Sequence, residues 1–268
     1  MKQLFLSFLL FLIFFTSCNE GDKDGPNTDS TNPPPPTLLF SIINVHPHDT
    51  ASFTQGLVAH NGQLYESTGQ PKTSWLGPLD IKTGKIDRKI VLDNEYFGEG
   101  ITILDGKIYH LTWQNNKGFV YDLDTYNKLK EFTYVTEGWG ITNDGTNLIM
   151  SDGTSNLFYF QPDSIKLIKT VGVTDNYGPV PNLNELEYID GFIYANQWQT
   201  PYILKIDPST GSVVGRLDLK KVEQEIAGKI PGADFSVNSS NGIAYDSSNN
   251  KIYITGKNWP SLYEIRLQ

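Results

Sequence analysis

The sequence predicts an all-β fold, a five-bladed β-propeller whose ring is closed by an N-terminal strand pairing with the last blade. Three observations carry this expectation. First, a short opening, one residue followed by Gly and an aliphatic, recurs as Gln55-Gly56-Leu57, Glu99-Gly100-Ile101, Trp139-Gly140-Ile141 and Asn241-Gly242-Ile243, with Leu183–Glu187 standing in once. Second, each opening leads to a tight turn and an aliphatic or aromatic strand: Asn61-Gly62 before Tyr65, Asp105-Gly106 before Tyr109, Asp144-Gly145 before Ile149, Asp190-Gly191 before Tyr194, Asn249-Asn250 before Tyr253. Gly and Asn supply the positive φ that tight hairpins demand, and the alternation that follows has a period of two. Third, the spacings between those five strand residues are 44, 40, 45 and 59. A period of about 40–50 residues with four strands per unit marks a propeller. A β-sandwich of repeated hairpins is the alternative, but a sandwich need not repeat its motifs in phase.

In chain order, residues 1–17 hold one Lys, an apolar run and a small-residue ending. That is the plan of a signal peptide, and the run is shorter than the ~20 residues a spanning helix needs. The ending Phe15-Thr16-Ser17-Cys18 resembles a bacterial lipoprotein signal, in which Cys18 is lipidated. An ordinary secretory signal with an incidental Cys is the other reading. Residues 18–37, polar and Pro-rich, read as a tether that cannot bury a core. Residues 38–268 suit one large domain, especially an all-β one. Leu38–Val45 is the spare strand expected to close the ring, because the fifth unit ends after about three strands and an open edge invites aggregation. Outer strands follow turns such as Asp80–Gly84, Asp122–Thr125 and Asp207–Gly211, and Lys220–Ile226 in the long fourth interval could be a short helix.

Charge and cysteine content narrow the function. Formal net charge is −9, and removing residues 1–17 takes away one Lys and no acid, leaving −9 − 1 = −10. An acidic body without basic runs argues against nucleic acid and against an anionic membrane surface. Membrane attachment, if any, comes from the lipid, on an exported periplasmic or surface-facing lipoprotein. Cys18 is the one cysteine, so the folded part has no disulfide and no thiol for catalysis or metal. His46-Pro47-His48-Asp49 lacks zinc-ligand spacing, His60 and His110 do not cluster with it, and Asp49 reads as a turn acceptor. A closed ring offers no reason to pair, so a monomer is expected.

Special residues gather at two places in the repeat. Near the start of each first strand stand Phe53, Gln55, Glu99, Trp139, Asn184, Glu185 and Asn241. Near the end of each second strand stand Trp113, Asp152, Trp198, Lys257 and Trp259. One frame thus aims unlike polar and aromatic groups at one axis. Asp152, Glu185 and Glu187 could equally cap turns or tie blades together.

Several linked segments, HDTASFTQGL (48–57), YFGEG (96–100), LTWQN (111–115), EGWGIT (137–142), LIMSDGT (148–154), LNELEYIDGFIYANQWQT (183–200), NGIAYD (241–246) and TGKNWP (255–260), resemble the plant-type glutaminyl-peptide cyclotransferases, also found in bacteria. The resemblance runs from about Val45 to the C-terminus. It implies a five-bladed propeller that turns the N-terminal glutamine of a peptide into pyroglutamate and releases ammonia. It implies site residues at Phe53, Gln55, Glu99, Trp113, Trp139, Asn184, Trp198 and Lys257. The family's usual Ser-x-Leu-Arg stretch is here Ser74-Trp75-Leu76-Gly77, without the Arg.

On that reading Glu99, Lys257 and Asn184 are catalytic. Glu99 shuttles the proton as general acid and base, with a pKa raised by poorly hydrated surroundings. Lys257, with the amides of Asn184 or Gln55, steadies the oxyanion. Phe53, Gln55, Trp113, Trp139 and Trp198 bind the substrate. No cofactor is required and no metal ligand is assigned, although the family's fold leaves room for a divalent cation in the channel. Two other readings compete: a metal-dependent propeller hydrolase of the lactonase type, and a non-catalytic peptide-binding propeller of the envelope.

Overall fold

A computed structural model describes residues 33–268. The leader, Cys18 and most of the tether lie outside the described residues. Strand β1 (Phe40–Pro47) precedes the blades. Blade 1 is β2 (Thr54–His60), β3 (Gln63–Thr68), β4 (Trp75–Leu79) and β5 (Ile90–Val91). Blade 2 is β6 (Gly98–Leu104), β7 (Lys107–Thr112), β8 (Lys117–Asp122) and β9 (Lys128–Thr133). Blade 3 is β10 (Ile141–Asn143), β11 (Leu148–Ser151), β12 (Asn156–Gln161) and β13 (Lys166–Gly172). A small hairpin, β14 (Thr174–Asp175) and β15 (Gly178–Pro179), leads into blade 4, which is β16 (Leu183–Ile189), β17 (Phe192–Gln197), β18 (Tyr202–Ile206) and β19 (Val213–Asp218). Helix α1 (Lys220–Lys229) follows, then β20 (Ser240–Asp246), β21 (Lys251–Gly256) and β22 (Ser261–Leu267) of blade 5.

The ring closes as the sequence predicts. β1 lies antiparallel to β22, from Phe40 opposite Leu267 to Pro47 opposite Ser261, and supplies the fourth strand of blade 5. The closing strand is displaced toward its C-terminus relative to Leu38–Val45, because the segment before it is already engaged. Leu38 N–H donates to the Arg216 carbonyl at 2.8 Å, and Arg216 N–H donates to the Pro36 carbonyl at 2.9 Å. The tether expected over 18–37 therefore ends short, with Pro36 and Thr37 bound against β19. The helix, expected over 220–226, runs on to Lys229 and turns Val222 and Ile226 into the core.

Hydrophobic side chains gather at the five blade boundaries. Val58 and Leu76 meet Ile101 and Ile103 between blades 1 and 2, and Leu111 and Val120 meet Leu148 and Met150 between blades 2 and 3. Leu157 meets Leu186, Ile203 meets Ile254, and Leu262 meets Leu57 at the other three. Each sheet thus buries both faces, which explains inner strands such as β6, buried along its whole length.

The X-Gly-aliphatic opening has a steric cause. At the start of the inner strand the register skips in blades 1, 2, 4 and 5, a β-bulge that re-aims the side chain there. Neighbouring inner strands nearly touch at this level. A Cβ on Gly100 would lie 2.8 Å from Ile141 N, and one on Gly140 would lie 2.0 Å from the Asn184 carbonyl oxygen. Blade 4 carries Glu185 at that place instead, and its side chain spans the middle of the ring. Its Oε1 accepts Leu57 N–H of blade 1 at 3.1 Å, and its Oε2 accepts Ile243 N–H of blade 5 at 2.8 Å.

Candidate active site

The two special places of the repeat are held side by side by one backbone bond. Gly69 N–H donates to the Phe53 carbonyl, Trp113 to Phe97, Trp198 to Asn182 and Lys257 to Ser239, at 2.9, 3.0, 2.9 and 3.0 Å. In blades 1, 2, 4 and 5 the residue following the second strand is thereby fixed beside the residue entering the first. All eight residues predicted to form a site, Phe53, Gln55, Glu99, Trp113, Trp139, Asn184, Trp198 and Lys257, line a single cleft of about 240 Å³. Phe97 and Gln70 complete it.

Aromatic rings form the walls. Phe53 meets Phe97 edge-on at 6.3 Å, Phe97 meets Trp113 at 5.6 Å, and Trp139 meets Trp198 at 5.5 Å with an interplanar angle of 84°. Lys257 Nζ stands 5.1 Å from the Phe53 ring centroid, within reach of a cation–π attraction. Glu99, Gln55, Asn184 and Lys257 form the polar floor, and each is buried.

Burial sets the electrostatics of the floor. It pushes the Glu99 carboxyl well above the usual carboxylate range; the Lys257 charge opposes this and Glu137 adds to it. It lowers the Lys257 ammonium in turn, against the pull of Glu99. Gln55 Nε2 approaches Glu99 Oε1 at 3.4 Å, and Asn241 Nδ2 donates to Gln55 Oε1 at 2.9 Å and to the Thr54 carbonyl at 3.0 Å. Asn241 thus turns the Gln55 amide so that its N–H faces the acid. The Asn184 Oδ1 is buried without a partner. Such an unmet polar atom is costly unless a ligand or water meets it.

Other residues singled out in the sequence lie elsewhere. Trp259 is fully buried, donates its Nε1–H to the Asn238 carbonyl at 2.8 Å and stacks edge-on against Tyr263, so it supports the Lys257 loop from behind. Asp152 accepts Thr154 N–H at 3.0 Å and serves a turn. Glu187 accepts Tyr245 N–H at 2.7 Å and meets the Thr142 hydroxyl at 3.3 Å. Both carboxylates that span the ring, Glu185 and Glu187, therefore have their oxygens engaged by donors. Among the described residues no three His, Cys, Asp or Glu side chains gather as ligands.

Three functional neighbours escaped the sequence reading. Phe97 and Glu137 stand two residues before Glu99 and Trp139, as Phe53 stands before Gln55, so the frame itself was the signal for them. Gln70 follows the second strand of blade 1 with φ at 151°, and nothing in its local sequence announces that. His48, weighed as a metal residue, is instead buried against Glu66, Nε2 to Oε1 at 3.1 Å, with Nδ1 2.7 Å from the Trp259 carbonyl.

The glutamine cyclotransferase family profile matches residues 13–267. This chain belongs to the glutamine cyclotransferase family. It is 37% identical over 265 residues to the glutaminyl-peptide cyclotransferase of Arabidopsis thaliana, covering 98% of this chain and 81% of the relative. The crystal structure of the Myxococcus xanthus glutaminyl cyclase superimposes with a TM-score of 0.82 at 35% identity, covering 87% of this chain and 98% of that one. The five-bladed ring is thus the architecture of a glutamine cyclotransferase. Where the family usually has Arg, Gly77 lies on β4, and a Cβ there would fall 2.3 Å from the Arg88 carbonyl oxygen.

Proposed function

We propose that this protein converts the N-terminal glutamine of peptides and proteins into pyroglutamate, releasing ammonia, in the cleft floored by Glu99, Asn184 and Lys257. The observation that carries this reading is the buried Glu99 carboxyl beside a buried Lys257 and an Asn184 amide whose Oδ1 has no partner, inside aromatic walls. The cleft takes one side chain and its amine, and the rest of a peptide emerges past the exposed Trp113.

In the proposed reaction the glutamine α-nitrogen attacks its own Cδ, forming the ring C–N bond, and its surplus proton passes to Glu99. The carbonyl oxygen becomes an oxyanion facing Lys257 and the Asn184 amide. Glu99 then returns the proton to the departing amide nitrogen, the Cδ–N bond breaks, and ammonia leaves. One group serves as base and then acid, which requires a pKa lifted toward neutrality. The walls of Phe97, Trp113, Trp139 and Trp198 fold the flexible side chain into a near-attack shape. No cofactor enters.

The test is incubation with Gln-initiated and Asn-initiated peptides, read by mass. Loss of one ammonia from the Gln series alone is expected. No loss at any pH would refute the reading and leave a peptide-binding propeller. Activity abolished by chelator and restored by metal would point to the metal-dependent hydrolase.

We also propose, from the leader pattern alone, a domain order of signal peptide, lipidated Cys18 with its tether, and a monomeric catalytic propeller on an exported, membrane-anchored lipoprotein. Cys18→Ser should move the protein from the membrane to the soluble fraction, and an unchanged membrane pool would contradict it.

A further inference from the structure

The aromatic wall of the cleft is built in two pieces. Phe53, Phe97 and Trp113 touch in series at 6.3 and 5.6 Å along blades 1 and 2, and Trp139 touches Trp198 at 5.5 Å along blades 3 and 4. A carboxylate joins them. Glu137 Oε2 accepts Trp113 Nε1–H at 2.7 Å and Trp139 Nε1–H at 2.9 Å, and Glu137 Oε1 accepts Gln114 Nε2–H at 3.1 Å. Both indoles thus hang on one oxygen, so neither can turn without losing a charge-assisted bond. The carboxylate is half-buried, and its three donors outweigh burial to hold it below the ordinary carboxylate range. It stays charged whenever the floor is at work.

We propose that Glu137 is a positioning residue for glutamine cyclisation, locking Trp113 and Trp139 across the boundary between blades 2 and 3 so that the two half-walls close on one substrate side chain. The proposal rests on the cyclisation reading above. Glu137 touches no reacting atom in it; its effect is on the shape of the cleft, and it should show in KM more than in kcat.

The experiment compares Glu137→Ala and Glu137→Gln with the wild-type full-length protein. It reads kcat and KM on a Gln-initiated peptide, the near-ultraviolet circular dichroism of the indoles, and thermal unfolding. For Glu137→Ala the expected result is a KM raised about tenfold with a smaller change in kcat, and a weakened indole band over an unchanged far-ultraviolet spectrum. Glu137→Gln keeps an acceptor oxygen for the indoles, so its KM should stay within about threefold of wild type. A wild-type KM and indole band in Glu137→Ala would overturn the proposal, as would a lowered unfolding temperature with KM unchanged. If Glu137→Ala does not fold, Glu137→Gln decides alone: a wild-type indole band supports the lock, and a collapsed band in a folded protein refutes it. If the wild type releases no ammonia, the cyclisation reading fails, while the indole band still reports whether Glu137 holds the walls.

Discussion

Glu99 and Lys257 owe their chemistry to where their backbones put them. Both are polar groups taken out of water at the end of a nearly apolar cleft, and burial moves the carboxyl up and the ammonium down. Each is the other's counter-charge, and neither has water enough to ignore it. Replacing Lys257 by Met keeps the length of the side chain and removes the charge. Loss of about 10²–10³-fold in kcat is expected from the missing oxyanion partner, with ammonia release as the measurement. At this scale the sequence was partly legible. Carboxylate, Lys and Trp at frame positions announced themselves by being unlike their equivalents. Phe97 was passed over although its place before Glu99 repeats that of Phe53 before Gln55, and Trp259 misled, because an indole in a wall and an indole in a core look alike in a sequence.

Elements bring these residues together through a repeated hairpin with two privileged places. The bulge at the inner-strand entry and the bond from the second strand's end to that entry recur in blades 1, 2, 4 and 5, and they bring Trp113, Trp198 and Lys257 to the cleft. The frame is tight. A Cβ on Gly69 would lie 2.0 Å from Phe97 Cε1 and 2.9 Å from Gln55 Cγ. Gly69→Ala should therefore displace two cleft residues at once. We expect a destabilisation of about 1–3 kcal/mol from overpacking, seen in thermal unfolding, together with a raised KM. The turns and strands were legible because hairpin chemistry is local. The exact ends of β1 and α1 were not, since they depend on Arg216 and on packing against blade 5, both distant in sequence.

At the scale of the whole molecule, the ring is tied across its middle by two carboxylates from one strand. Glu185 bridges the inner strands of blades 1 and 5, and Glu187 bridges blades 5 and 3. Burial pushes Glu187 up to about 8, against the pull of Tyr245 N–H and Thr142, and raises Glu185 as well. The sign follows from proton counting. Above the ordinary value of 4.5 the unfolded chain has released protons that the folded ring still holds, so this contribution to stability falls as pH rises from 4.5 to about 8. Glu187→Gln removes the titration but keeps an acceptor. Its unfolding temperature should decline less steeply over that window than the wild type's; an identical slope would show that Glu187 does not titrate there. The ring count was legible in the repeat spacing, and a tie between blades was one of two readings the sequence left open for Glu185 and Glu187; which strands they join was not legible, because those strands never pair. The account's central claim is that the ring delivers a buried acid to an N-terminal glutamine, and turnover by Glu99→Gln tests it most directly. The variant should fold like the wild type and lose several orders of magnitude in kcat for ammonia release from a Gln-initiated peptide. Near-normal turnover would contradict the proton-shuttle role and the mechanism built on it.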